Sequence, residues 1–107
     1  MCRQFDVYRN PSERTRHIHP YIMVIQHDYH GDLSTRLVLP LSRHAYLNGY
    51  YHRATPLVNI DFQTVASNTP LMTSINKDKR KNRHFICNLR SERSSAISAI
   101  DALITNT

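Results

Sequence analysis

The side chains best suited to chemistry are histidines, and four of the seven form two close pairs in the first third of the chain. The pairs are His17 with His19 and His27 with His30. On a β-strand, His17 and His19 would lie on one face, where imidazole nitrogens can bind zinc. The two pairs flank the apolar segment 21–25, however, and a strand rises about 3.3 Å per residue, which separates them by roughly 25 Å. We therefore predict no metal site and no cofactor.

Residues for acid–base catalysis are present but form no known motif. Gly31 and Gly49 are the only glycines of the chain, too few for a phosphate-binding loop. The Gly-x-Ser-x-Gly and His-Glu-x-x-His patterns of hydrolases are also missing from the sequence. Asp28, Asp32, Arg36, His44 and His52 could assemble a ribonuclease site, and Arg36, His44 and His52 stay open as its acid–base groups. Our preferred interpretation of the sequence is a protein without catalytic residues.

Basic residues dominate the charge of the chain, which has 14 Lys and Arg, 8 Asp and Glu, and a formal net charge of +6. Such a balance favours acidic partners. The densest run of basic residues, 77–83, contains one acid, Asp78, and no Phe, Tyr or Trp side chain for stacking on bases. This run is predicted to contact DNA phosphate or an acidic partner segment, or else to be a solvated loop; its cations are Lys77, Lys79, Arg80, Lys81 and Arg83.

Length and composition predict a single cytoplasmic domain over residues 1–107. The chain has no apolar run of membrane-spanning length, and its first residues are too polar for a signal peptide. Cys2 and Cys87 lie in no metal or redox motif, so both are expected to be unreactive thiols.

The elements that must position these residues are mostly strands. Alternation and β-branched composition predict strands at 4–8, 21–25, 37–39, 58–62, 64–66, 71–75 and 85–87. In the first, Phe5 and Val7 should face the core and Tyr8 the solvent. Pro40 is expected at an edge or a bulge, because proline cannot donate a ladder hydrogen bond.

One helix is predicted at the end of the sequence, with Ser91 as its cap. Its apolar residues recur at spacings of three and four, which predicts a single buried stripe of Ala96, Ile97, Ile100, Leu103 and Ile104. The fold class is therefore mainly β with a C-terminal α-helix, arranged as a small barrel-like structure.

Three segments resemble the CcdB family of toxins. Gln4-Phe5-Asp6-Val7-Tyr8 is similar to its start, 35–41 to its Arg-x-Val-x-Pro-Leu strand, and 99–107 to its terminal helix. The resemblance implies the small SH3-like β-barrel of the CcdB, Kid and MazF toxins, assembled as a homodimer. It also implies a toxin–antitoxin system in which the toxin binds the DNA gyrase A subunit and traps the cleaved DNA complex.

The resemblance assigns gyrase contacts to the end of the helix and to a pair of residues after the second strand. Asn106 and Thr107 stand where the family usually has Gly-Ile. The partners implied are a CcdA-like antitoxin and, only together with that antitoxin, operator DNA, as in plasmid maintenance and transcription autoregulation. The assigned gyrase-binding residues are Tyr29, His30, Asp101, Thr105, Asn106 and Thr107.

Two alternatives remain open on the same fold. One is an mRNA interferase of the MazF or Kid type, with the ribonuclease groups named above. The other is a relative that no longer poisons gyrase and keeps only antitoxin and operator binding.

Overall fold

The computed structural model describes residues 3–26, 35–43, 55–76 and 84–105. Within these segments it contains seven strands and one α-helix. The strands are β1 (Asp6–Arg9), β2 (Tyr21–Val24), β3 (Thr35–Arg43), β4 (Leu57–Ile60), β5 (Gln63–Ser67), β6 (Thr73–Asn76) and β7 (Phe85–Asn88), and the helix is α1 (Arg93–Thr105). Short 3-10 turns at Thr69–Leu71 and Arg90–Glu92 precede β6 and α1.

All seven strands belong to one antiparallel sheet with the order β4-β5-β3-β2-β1-β7, and β6 pairs with β3 beside this path. The sheet curls into a half-barrel. This arrangement confirms the predicted fold class, mainly β with a C-terminal helix in a small barrel-like structure.

Strand β3 is the centre of the sheet because it pairs with three other strands. One edge pairs with β2 over residues 38–41, and the other pairs first with β6 and then with β5. Pro40 lies between the last residue paired with β6, Val38, and the first paired with β5, Leu41. The expectation of an edge or a bulge at Pro40 is therefore wrong, because β3 is a central strand and its pairing with β2 runs through Pro40 without a register shift. Proline is accommodated here because the second neighbour changes at this position.

Side chains from β1, β2 and β3 are buried on both faces of the sheet. Tyr21 to Val24 are all buried, which confirms the predicted doubly covered strand. The larger core, under α1, contains Phe5, Val7, Tyr21, Met23, Ile25, Leu39, Leu41, Val58, Ile60, Val65 and Ala96. The opposite face carries a smaller cluster of Tyr8, Ile22, Val24 and Val38, with Ile75 packed against it.

The first strand differs from its prediction in both position and exposure. It begins at Asp6, after Phe5 with a φ of 70°, and Tyr8 is buried rather than solvent-facing. The Asp6 carboxylate is buried too, and it accepts hydrogen bonds from the Arg3 backbone N–H at 2.8 Å and the Asn88 amide at 2.9 Å. A buried carboxylate is tolerated because these donors replace water.

The hairpin between β4 and β5 also differs from the predicted strand 58–62. Val58 and Ile60 face the core as expected, but the strand ends at Ile60, and the phenyl ring of Phe62 is fully exposed. Asp61 and Phe62 form the turn with φ values of 50° and 64°. A two-residue hairpin turn with both φ values positive follows the type I′ pattern, whose twist matches the flanking strands. Turn geometry thus overrides the alternation.

The predicted strand 71–75 begins later than expected. Leu71 ends the 3-10 turn and is half exposed, and β6 starts at Thr73. Pro70 lies inside this turn, where proline's fixed φ suits the first turn of a helix. The strands predicted at 64–66 and 85–87 are confirmed within β5 and β7.

Candidate functional site

Helix α1 holds one face against the sheet and leaves the opposite face open. Ala96 and Ala99 are 4% and 0% exposed, and Ile100 packs against the larger core. The helix also contacts the turn at Thr69–Leu71. The small side chains of these alanines let the helix backbone approach the sheet closely, because a longer side chain at either position would have no room.

The helix begins later than the predicted cap. Ser91 lies within the 3-10 turn Arg90–Glu92, and α1 starts at Arg93, so the cap assignment is wrong. The bend before the helix is held instead by Asn88, whose side-chain oxygen accepts a hydrogen bond from the Arg90 N–H at 2.9 Å. A side-chain amide acting on the backbone two residues ahead is a common turn-forming contact.

The open face of α1 carries two isoleucines around a carboxylate. Ile97 is 38% exposed, Ile104 is 71% exposed, and Asp101 between them is exposed. Residues at i, i+4 and i+7 share one side of a helix, so the three form a continuous stripe. We call Ile97, Asp101 and Ile104 the helix stripe. The prediction that Ile97 and Ile104 belong to the buried stripe is wrong, because the helix buries its alanine side.

Two of the six predicted gyrase-binding residues lie in the described part of the chain. Asp101 belongs to the helix stripe, and Thr105 is the last residue of α1. The other four, Tyr29, His30, Asn106 and Thr107, lie outside the described residues. The same holds for the basic run of Lys77, Lys79, Arg80, Lys81 and Arg83.

One candidate residue of the ribonuclease alternative, Arg36, is buried. Arg36 is 5% exposed, and its guanidinium donates to the carbonyl oxygen of Thr35 at 2.9 Å. A guanidinium that is almost completely buried and bonded to its own backbone presents little surface to an external RNA, and catalysis requires contact with the reacting group. Its suggested partners His44 and His52 lie outside the described residues.

The histidine pair His17 and His19 is not a strand pair. Residues 13–18 form turns; His17 is exposed, whereas His19 is half buried, with its Nδ1 2.6 Å from the hydroxyl oxygen of Ser42. Burial lowers the pKa of His19, and the neighbouring His17 lowers it further. Asn68 also donates to the Ser42 hydroxyl at 3.2 Å, so His19 belongs to a structural network. Among the described residues, no three His, Cys, Asp or Glu side chains come close enough to hold a metal ion.

Four arginines form a group on the surface that the sequence pattern alone does not reveal. Arg9, Arg14 and Arg16 lie in and beside the loop that joins β1 to β2, and Arg43 ends β3 next to this loop. We call these four residues the arginine cluster. The spacing of the first three was visible in the sequence, but Arg43 joins them only through the pairing of β3.

The described segments contain no helix able to cross a membrane. Their one α-helix has 13 residues, whereas a bilayer needs about 20 apolar residues.

A curled antiparallel sheet closed by one C-terminal helix, with exposed isoleucines on that helix, defines the class of small, mainly β, barrel-like proteins. The family whose sequence model matches is described as CcdB protein, and the match covers residues 4–106. The chain therefore belongs to the CcdB family, whose members are toxins of toxin–antitoxin systems. A search of curated proteins finds no match to it.

Proposed function

We propose that this protein is the toxin of a type II toxin–antitoxin system that binds the gyrase A subunit and traps the gyrase–DNA cleavage complex. The observation that supports this most is the helix stripe, because it exposes large apolar side chains on the element to which the family resemblance assigns the gyrase contacts. The proposed contact residues are Tyr29, His30, Asp101, Thr105, Asn106 and Thr107, together with Ile104 from the helix stripe.

The proposed action requires binding and no covalent chemistry by the toxin itself. A ligand shifts a conformational equilibrium only by the difference between its affinities for the two states. If the toxin binds open, cleaved gyrase more tightly than the resealed enzyme, cleaved complexes accumulate. Double-strand breaks then follow from the chemistry of gyrase.

The size of the apolar contribution follows from the exposure of Ile104. Complete burial of an isoleucine stabilises a complex by about 1.5 to 3 kcal/mol. Because 71% of Ile104 is exposed, most of this gain is available to a partner. Replacing it by serine should therefore weaken gyrase binding by about 5- to 30-fold, since 1.4 kcal/mol corresponds to a tenfold change.

The remaining partners are part of the same proposal. The toxin acts in the cytoplasm as a homodimer, a CcdA-like antitoxin neutralises it, and it binds operator DNA sequence-specifically only together with that antitoxin. A domain of this length gains stability from an oligomeric interface, because it buries a smaller fraction of its surface than a large one.

The test combines purified protein with gyrase and supercoiled plasmid, and quantifies linear DNA after denaturation of the complex. Wild-type protein should produce linear plasmid, and Ile104→Ser should need about 5 to 30 times more protein for the same yield. Leu57→Ser is a matched control, because Leu57 is a half-exposed aliphatic residue on β4, outside the helix stripe. Deletion of residues 105–107 should abolish the product.

Three results would contradict the proposal. Fragmentation of bulk RNA without plasmid linearisation would indicate the interferase alternative. A chain that is harmless when expressed without an antitoxin would indicate the relative that no longer poisons gyrase. Equal losses from Ile104→Ser and Leu57→Ser would show that the helix stripe is not the contact surface.

A further inference from the structure

The arginine cluster concentrates positive charge on one part of the surface. Arg9, Arg14 and Arg43 are exposed, and Arg16 is half exposed. Between positions 9 and 19 the sequence has one carboxylate, Glu13, and two histidines. Within the described segments, no carboxylate pairs with any of these four guanidinium groups.

Two of the arginines are fixed by the backbone of the loop. The Arg16 Nε donates to the carbonyl oxygen of Asn10 at 2.8 Å, and the Arg43 Nε donates to that of His17 at 2.7 Å. Both bonds use Nε. Arg43 is exposed, so its two terminal nitrogens remain as donors for a ligand. Fixed guanidinium groups lose less conformational freedom on binding than mobile ones.

The strand register places the two ends of the cluster on the same face of the sheet. Arg9 lies opposite Tyr21, Tyr21 lies opposite Leu41, and Arg43 follows Leu41 by two residues. With strands about 4.8 Å apart and a rise of about 3.3 Å per residue, the Cα atoms of Arg9 and Arg43 are about 12 Å apart. The cluster can therefore contact several charges of an extended polyanion at once.

The composition of the surrounding loop favours phosphate over an acidic peptide. Peptide segments usually bind through buried apolar anchors. The exposed residues of the loop are Pro11, Ser12, Glu13, Arg14, Thr15 and His17. Among the described residues, the large apolar side chains that are exposed all lie elsewhere. Phosphate contacts need no such anchor, and arginine, serine and threonine are their usual donors.

The same loop favours duplex over single-stranded nucleic acid. No Phe, Tyr or Trp occurs between Arg9 and Pro20, and the flanking Tyr8 and Tyr21 are buried. Single strands are bound largely by stacking of their bases on aromatic rings. A surface of guanidinium and hydroxyl groups suits the phosphate backbone of a double helix, which carries one charge per about 1.7 Å of axis.

We propose that the arginine cluster binds the phosphate backbone of double-stranded DNA without sequence preference. This binding is the chain's own property, independent of gyrase and antitoxin, and its surface is distinct from the helix stripe. Such binding would raise the concentration of the protein along DNA, because charge drives the association of a basic protein with DNA.

The test measures binding of the full chain to a short fluorescent duplex of arbitrary sequence over a series of salt concentrations. The cluster variant is Arg9→Gln with Arg14→Gln and Arg43→Gln. The matched control, Arg3→Gln with Arg90→Gln and Arg93→Gln, removes equal charge from three other exposed arginines. The cluster variant should lower the slope of log affinity against log salt by about 2 to 3, because each phosphate contact contributes about 0.9.

A lysine variant at the same three positions separates charge from folding. It should keep most of the salt slope, because lysine retains the charge although it loses the planar fork. An equal loss from the control variant would mean that only net charge matters and would overturn the proposal. So would tighter binding to poly-glutamate or to single-stranded RNA than to the duplex.

Discussion

The hairpin turn at Asp61 and Phe62 allows a sharp test of backbone strain. Both residues have positive φ values, 50° and 64°. A non-glycine residue in this region loses roughly 1 to 2 kcal/mol relative to its preferred conformation. Type I′ turns therefore favour glycine at the second position, and Asp-Gly is among their preferred pairs. We predict that Phe62→Gly stabilises the protein.

The magnitude follows from two opposing terms. Relief of the left-handed conformation should contribute about 1 to 2 kcal/mol. The greater freedom of glycine in the unfolded chain should cost about 0.5 to 1 kcal/mol. No burial is lost, because the relative exposure of Phe62 is 108%. The net gain is about 0.5 to 1 kcal/mol, which for a chain of this size raises Tm by about 2 to 6 °C.

Urea denaturation followed by circular dichroism measures this gain. Phe62→Ala is the control, since it removes the phenyl ring but keeps the Cβ atom that makes positive φ unfavourable. It should change the free energy of unfolding by much less than Phe62→Gly does. If the glycine variant is less stable than wild type while the alanine variant is not, the strain argument is refuted.

Three further predictions concern the core and the titrating groups. Because burial and the charge of His17 lower the pKa of His19, the unfolded chain binds this proton more readily than the folded one. The free energy of unfolding should therefore fall as pH drops through about 6.5, and His19→Gln should flatten this dependence in thermal melts more than His17→Gln does. Burial raises the pKa of the Cys87 thiol, so in a Cys2→Ser background a thiol reagent near pH 8 should react more slowly with folded than with unfolded protein. Ala99 is a completely buried residue of α1, so Ala99→Leu should destabilise the fold by about 1 to 3 kcal/mol in urea titrations; no change would mean that the helix is loosely packed.

The sequence predicted strands best where burial follows a simple pattern. Segment 21–25 is apolar on both faces, and β2 is buried throughout. At Tyr8 the same kind of inference was wrong, because a tyrosine next to a charged residue resembles a solvent-facing position. Its ring is instead buried and packs edge-on against Phe85 at 5.7 Å. Local alternation does not reveal that a second layer covers the other face of a strand.

The candidate site was predictable in outline only. Periodicity placed a helix where α1 lies, but it could not show that Ala96 and Ala99 face the sheet while Ile97 and Ile104 face outward. Both sides of this helix carry apolar residues, so hydrophobicity alone does not choose between them. The choice depends on how closely the helix approaches the sheet, which is a tertiary property.

Pairing between β1 and β7 has a consequence for the folding of this toxin during its synthesis on the ribosome. The Asn88 side chain bonds to Asp6 across 82 positions of sequence, and the Leu89 N–H bonds to the carbonyl of Phe5 at 2.9 Å. Strand β1 therefore cannot pair with β7 until residues 85–88 have left the ribosome. Contacts so distant in sequence also form slowly. A chain that lacks β7 should therefore be unable to complete the sheet, and a newly made molecule should reach its folded state only after this last strand is available.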